Sequence, residues 1–308
     1  MEFEIRLSGP VEVAAAGRCG DIGSTKTRLA FAALAWDASR TVGMETLIHR
    51  IWDEDPPFKA REALHAHVSR IRKALRVAGG SAPAVVSSTN AYVMRVDPDR
   101  VDLRRYTSCV DQARSLKDSR DDAAALRLLD HAAGLWRGEP LAGITGSWAA
   151  RLRATVAESG LAAAMLRADI LMRAGRFADA VPVLLPLADE HPVDEALTEQ
   201  LAIALYGSSR TAEATRLLQR TRQRVVRDIG LDAGRRLRGV QQGILSGAPA
   251  AALLEGTGSG TGTGTGISTG TSTNTRTDPR AGSTPAPQPP PPPHPTASPT
   301  TSPATSPG

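Results

Sequence analysis

The stretch Lys59 to Arg76, KAREALHAHVSRIRKALR, reads as one helix with two incompatible faces. At about 100° per residue, Leu64, Val68, Ile71 and Leu75 fall on one narrow apolar stripe, while Glu62, Ala66, Ser69, Arg70 and Lys73 point away from it. The stripe is built to be buried. The rest of the helix holds six cations, Lys59, Arg61, Arg70, Arg72, Lys73 and Arg76, against one acid, Glu62, with His65 and His67 between them. Such an inventory suits a helix lying in a DNA major groove, where cations neutralise phosphates and short polar groups reach base edges. The ordinary alternative is a solvated basic face, so the neighbouring sequence has to decide.

Upstream, Thr25 to Trp36 has helical periodicity, with Thr25 in place to cap it and Leu29, Ala33 and Trp36 on one side. A second helix is expected from Met44 to Trp52, with Leu47, Ile48 and Ile51 inward and Asp53-Glu54-Asp55-Pro56-Pro57 stopping it. The basic helix is then the third of three. After Gly79-Gly80, the runs Val85 to Ser88 and Tyr92 to Val96 flank the polar turn Thr89-Asn90-Ala91 as a hairpin, and Phe3 to Leu7 and Val11 to Val13 form strands around Gly9-Pro10. A small sheet, three helices and a terminal hairpin make a winged helix-turn-helix over residues 1–101.

From Asp102 the pattern becomes continuous helix. Leu171 to Ala180 (LMRAGRFADA) aligns with Leu205 to Ala214 (LYGSSRTAEA) at an offset of 34, the tetratricopeptide period, and Leu184 then falls on Leu218. An all-α, tetratricopeptide-like domain is expected over residues 102–247, suited to protein contacts rather than chemistry. Residues 248–308, dominated by Gly, Thr, Ser and Pro, lack the apolar surface to offset chain entropy and are expected to be a disordered tail. The fold class is therefore mainly α with a small β component.

Several of these phrases together resemble a known family. VSRIRKAL within Arg61 to Leu75, the preceding LIHRIWDEDPP, the hairpin ending YVMRVDP and the following VDLRRY are similar to the Streptomyces antibiotic regulatory proteins, whose first domain is of the OmpR/PhoB winged-helix type. Leu135 to Leu141 (LWRGEPL) and Arg227 to Gly234 (RDIGLDAG) resemble landmarks of the bacterial transcriptional activation domain that follows it. The likeness covers residues 1 to about 247. Two departures stand out: Ala91 replaces the customary glycine before the wing tyrosine, and Ala233 a customary proline. Asn90 tolerates a left-handed backbone, so the tight turn survives, and Gly230 with Gly234 suffices to end one helix and begin the next.

The resemblance implies a recognition helix at 59–76, a wing at 85–96, binding to direct repeats in double-stranded DNA near a promoter, self-association on DNA and recruitment of RNA polymerase. It implies activation of a secondary-metabolite (antibiotic) gene cluster. Arg61, Arg72 and Arg76 are assigned mainly to phosphates, with Lys59 among the same cations; His65, Ser69, Arg70 and Lys73 are assigned to base edges, and Asn90 and Arg95 to the wing. Asp53, Glu54, Asp55 and Phe58, between the second and third helices, are the expected polymerase contact. An adaptor acting through the helical domain, or a repressor with the same DNA-binding domain, are the alternatives.

Enzyme chemistry finds no support. Gly17 to Thr27 fails the phosphate-loop pattern because Ser24-Thr25 separate Gly23 from Lys26, and His65 and His67 point about 200° apart on a helix. No cofactor is expected. Cys19 and Cys109 offer neither a disulfide framework nor metal spacing. The net charge of +5 matters less than its concentration on one helix. With no leader-like start, no apolar run long enough to cross a bilayer and no receiver-like segment ahead of the winged helix, a cytoplasmic, membrane-free protein is the expectation.

Overall fold

A computed structural model describes residues 3–15, 18–20, 22–79 and 84–258. The order is β1 (Phe3–Arg6), β2 (Glu12–Ala15), β3 (Arg18–Gly20), α1 (Thr25–Trp36), β4 (Thr41–Gly43), α2 (Met44–Trp52), α3 (Ala60–Val77), β5 (Val85–Ser88) and β6 (Ala91–Met94). Two antiparallel three-stranded sheets result, ordered β1-β2-β3 and β4-β6-β5. The short strands β3 and β4 carry too few residues to show alternation, so sequence periodicity misses them. β4 has a mechanical role: pairing Val42 with Tyr92 and Gly43 with Ala91, it fastens the hairpin to the start of α2.

The apolar stripe of α3 is buried as its spacing requires, with Leu64 and Ile71 wholly inaccessible. It packs against α1, whose Leu29, Ala33 and neighbours form the centre of the first core. Ser24, not Thr25, caps α1: its hydroxyl accepts from the Thr27 amide at 3.4 Å, and Thr25 is the first helical residue. The exchange is one position along the chain, because Ser24 has the extended backbone a capping residue needs. The hairpin turn survives without glycine as expected, since Asn90 takes a φ of +51°.

The helical part continues with α4 (Asp102–Asp118), α5 (Asp122–Gly134), α6 (Ser147–Arg173), α7 (Phe177–Glu190), α8 (Glu195–Gly207), α9 (Thr211–Ile229), α10 (Arg235–Leu245) and α11 (Ala250–Gly258). The 34-residue offset is visible as geometry. The α6–α7 and α8–α9 turns both place a positive φ at equivalent positions, Gly175 and Ser209. Both also close with the same bond, Arg176 amide to Leu171 carbonyl and Arg210 amide to Leu205 carbonyl, each at 2.8 Å. The α4–α5 turn repeats the device with Arg120 and an Asp121 to Leu116 bond of 2.9 Å, a third copy too diverged to read in the sequence. Gly230 ends α9 in the left-handed conformation and Gly234 caps α10, so the missing proline at Ala233 costs neither helix its boundary.

α11 lies beyond position 247, where coil is expected. Ala250 to Glu255 precedes the glycine-rich run and has strong helix formers, enough for a short helix once Leu253 and Leu254 pack on the second core. The stretch from 259 to 308, expected to be disordered, lies outside the described residues.

The winged helix and the helical part share one core. Leu141, Ile144, Trp148, Ala149, Leu152 and Val156 belong to the same buried cluster as the residues of α1 to α3. Asp102, 2% exposed, accepts from the Leu7 and Ser8 amides at 2.8 and 3.0 Å. Leu141 and Ala142 donate to the carbonyls of Leu7 and Gly9, both at 2.9 Å. The LWRGEPL phrase is thus a docking segment that holds the helical part to the N-terminal sheet.

Candidate nucleic-acid interface

With its apolar stripe sunk, α3 leaves Ser69, Arg70, Lys73 and Arg76 exposed on the opposite side. Among the described residues none of Arg70, Lys73 and Arg76 is paired with a carboxylate, so these charges remain available to an outside anion. Two other cations are partly satisfied at the front of the helix, Arg61 by Glu45 at 2.5 Å and Lys59 by Glu62 at 3.4 Å. All four side chains are well exposed, so both pairs are weak and exchangeable.

The hairpin β5–β6 lies along the flank of α3, and two side chains tie them. Arg72 donates through Nε to the Val85 carbonyl at 2.9 Å and through Nη2 to Ser87 Oγ at 2.8 Å. Its guanidinium is therefore a brace between helix and wing, which the sequence places among the phosphate contacts because strand partners are invisible to helical periodicity. His65 Nδ1 meets the Tyr92 hydroxyl at 2.5 Å, and the rings sit edge to face. Burial pushes the Tyr92 hydroxyl's pKa up, with the nearby Arg72 charge opposing, so the phenol keeps its proton.

His67 does not share the polar face. It is buried, with Nδ1 2.9 Å from Thr27 Oγ1 and its ring 5.8 Å from Trp52. Burial, then the charges of Arg70 and Lys26, lower its pKa, which keeps it neutral. Its place in the helix's polar inventory is thus corrected: position 67 flanks the apolar stripe on the side covered by α1 and α2.

Asn90 and Arg95 are not brought together. The Asn90 carbonyl accepts from the Met44 amide at 2.8 Å, at the closed end of the hairpin. Arg95 follows β6 at the open end, alternating away from buried Tyr92 and Met94. Five steps along the chain put them about 16 Å apart, so they address different points on any ligand.

The segment between α2 and α3 divides likewise. Asp53, at a φ of +54°, turns its carboxylate onto the start of α6. It accepts from the Ser147 amide at 3.2 Å and the Ser147 hydroxyl at 2.5 Å, and these bonds hold its pKa below the ordinary aspartate value. Asp53 therefore anchors the loop to the helical part. Glu54 and Asp55 stay exposed, and Phe58 is fully so, beside a groove of about 500 Å³ lined by Glu45, Ile48, Pro56, Pro57 and Arg61. An aromatic ring held wholly in solvent has no packing role in this fold. Among the described residues no cluster of three or more His, Cys, Asp or Glu is placed to hold a metal, and no helix is long and apolar enough to span a membrane.

Residues 101–245 match the bacterial transcriptional activator domain. The transcriptional regulator RedD of Streptomyces coelicolor is 31% identical over 254 residues, covering 80% of this chain and 71% of RedD. The chain belongs to the Streptomyces antibiotic regulatory protein family. A second member, the regulatory protein AfsR of the same organism, is 34% identical over 247 residues, which are 80% of this chain and 24% of AfsR. The chain thus spans about a quarter of the length of that relative. A solved structure of Mycobacterium tuberculosis EmbR, in complex with a low affinity phosphopeptide, superposes with a TM-score of 0.76 at 27% identity, covering 82% of this chain and 69% of EmbR. The sequence relatives and the solved structure each cover about four fifths of the chain.

Proposed function

We propose that the chain is a sequence-specific DNA-binding transcriptional activator of a secondary-metabolite (antibiotic) gene cluster, and that it acts by binding rather than catalysis. The carrying observation is the outer face of α3: exposed Ser69 between Arg70, Lys73 and Arg76, which form no ion pair among the described residues, on a helix held rigid by its buried stripe and by a wing on its flank. Unpaired cations supply phosphate affinity, and short polar groups on a fixed helix supply base contacts. The regulatory names of the relatives support the same reading. Direct repeats and self-association on DNA are what the family resemblance implies.

Glu54, Asp55 and Phe58 are the proposed polymerase contact, on a loop whose base Asp53 fixes to α6. That arrangement assigns base reading to the outer face of α3 and recruitment to the loop ahead of it. The test is a gel shift of the full chain on promoters beside its own gene at several salt concentrations, paired with a promoter reporter. A specific complex with a steep negative salt slope and an active reporter supports the proposal. Binding with a silent or lowered reporter would favour a repressor, and no specific shift at any salt would leave the helical domain as an adaptor.

A further inference from the structure

The Tyr92 hydroxyl belongs to a residue only 1% exposed, and among the described residues its one polar partner is His65 Nδ1. A phenol has a single proton to donate. If Nδ1 carried the ring proton, the hydroxyl would accept it and its own proton would be buried without an acceptor, a costly arrangement. The hydroxyl therefore donates to Nδ1, which leaves the ring proton of a neutral imidazole on Nε2. His65 itself is exposed, one turn before Ser69 at the seam between α3 and the wing, and Nε2 has no partner among the described residues. Arg72 fixes the strand opposite, so hydroxyl and ring approach each other at a constant height along the helix.

Resting on the DNA-reading proposal above, we infer that Tyr92 locks His65 as a hydrogen-bond donor, making it a specificity-determining residue that selects an acceptor on the base edge it faces. The acceptors available in a major groove are a purine N7, guanine O6 or thymine O4, and the disfavoured base is cytosine, which presents the N4 donor there. Histidine alone is an ambiguous reader because it can donate or accept. Tyr92, a positioning residue, removes the ambiguity without touching DNA.

The test uses the full chain with histidine rings labelled with 15N. In the free protein, His65 Nδ1 is expected to resonate as an unprotonated nitrogen and Nε2 as a protonated one, and Tyr92→Phe to abolish that preference while thermal unfolding confirms a folded variant. Enrichment of a random duplex library then gives the base profile. The wild type is expected to reject cytosine roughly tenfold at one position of its site. Both His65→Ala and Tyr92→Phe should flatten that position, and Tyr92→Phe should bind non-specific duplex as the wild type does at the same salt. A proton on Nδ1 in the wild type overturns the inference whatever the DNA result. A proton on Nε2 with profiles unchanged in both variants overturns the selection step. Failure of the wild type to enrich any sequence overturns the DNA-reading proposal itself, an outcome the ring spectra do not mimic.

Discussion

Helices α3 and α9 carry almost the same charge inventory. Over Ala60–Val77 there are five cations and one acid, and over Thr211–Ile229 five arginines and two acids. Each buries one stripe, Leu64, Val68, Ile71 and Leu75 in the first and Ala214, Leu218, Thr221 and Val225 in the second. They differ in what surrounds the charges. On α9, Arg222 and Arg227 face Asp232 and Asp228, and Arg216 bonds the carbonyl of Ala212 one turn back. On α3, Arg70, Lys73 and Arg76 form no ion pair among the described residues, while a second element, the wing, fixes Arg72 and His65 from the side. A count of basic residues does not distinguish a reading helix from a solvated one. Arg220 and Arg224 of α9 are exposed too and, among the described residues, form no ion pair, so free charge does not separate the two helices; polar side chains braced by a second element do.

The widest separation is expected from charge removal. Arg70→Ala and Lys73→Ala should each weaken specific DNA binding by about 1–3 kcal/mol at fixed salt, whereas Arg220→Ala and Arg224→Ala on α9 should leave it unchanged. Equal losses from both helices in a gel shift would break the contrast. A comparable effect, on stability instead of binding, is expected at Gly207, where an added Cβ would collide with the Phe177 ring. Gly207→Ala should lower the unfolding free energy by about 1–3 kcal/mol, read by denaturant titration, and an unshifted midpoint would mean that the α7–α8 contact yields freely.

Smaller effects probe the elements that hold α3 in place. Asp53→Ala removes a side-chain cap from α6 and should cost about 1 kcal/mol, with reporter output falling more than DNA affinity. Because bonds from Ser147 lower the folded-state pKa of Asp53, its stabilisation is complete above the ordinary aspartate range. It is lost as pH falls through that lowered value. Asp53→Asn should therefore flatten the acid limb of the stability curve, and an identical limb would show that the Ser147 contact contributes nothing. The subtlest change is expected for Arg72→Ala. As a brace it should weaken binding modestly without altering the salt slope, whereas loss of a phosphate contact would reduce the slope by about one.

Legibility in the sequence followed the range of the interactions. The stripe of α3, the hairpin with Asn90 at its turn and the 34-residue helix pairs are patterns within short segments, and all three stand in the structure. Strands β3 and β4 were illegible because three residues cannot display a period of two. Tyr92 gave no sign that it would reach His65, 27 positions earlier, nor Asp53 that it would cap a helix 94 positions later. Helical periodicity likewise put His67 beside the cations, since it records an angle around one axis and not which neighbour covers that side.

By itself the sequence determined the three helices and the hairpin of the N-terminal part, the repeated helix pairs after it, and which face of α3 is apolar. These depend on backbone propensity and spacing, which act over a few residues. Only the tertiary structure decided which charges stay free, which are spent as braces, and which nitrogen of His65 faces outward. Those outcomes depend on partners distant in the chain and on the burial of one hydroxyl, and distance in sequence carries no record of either.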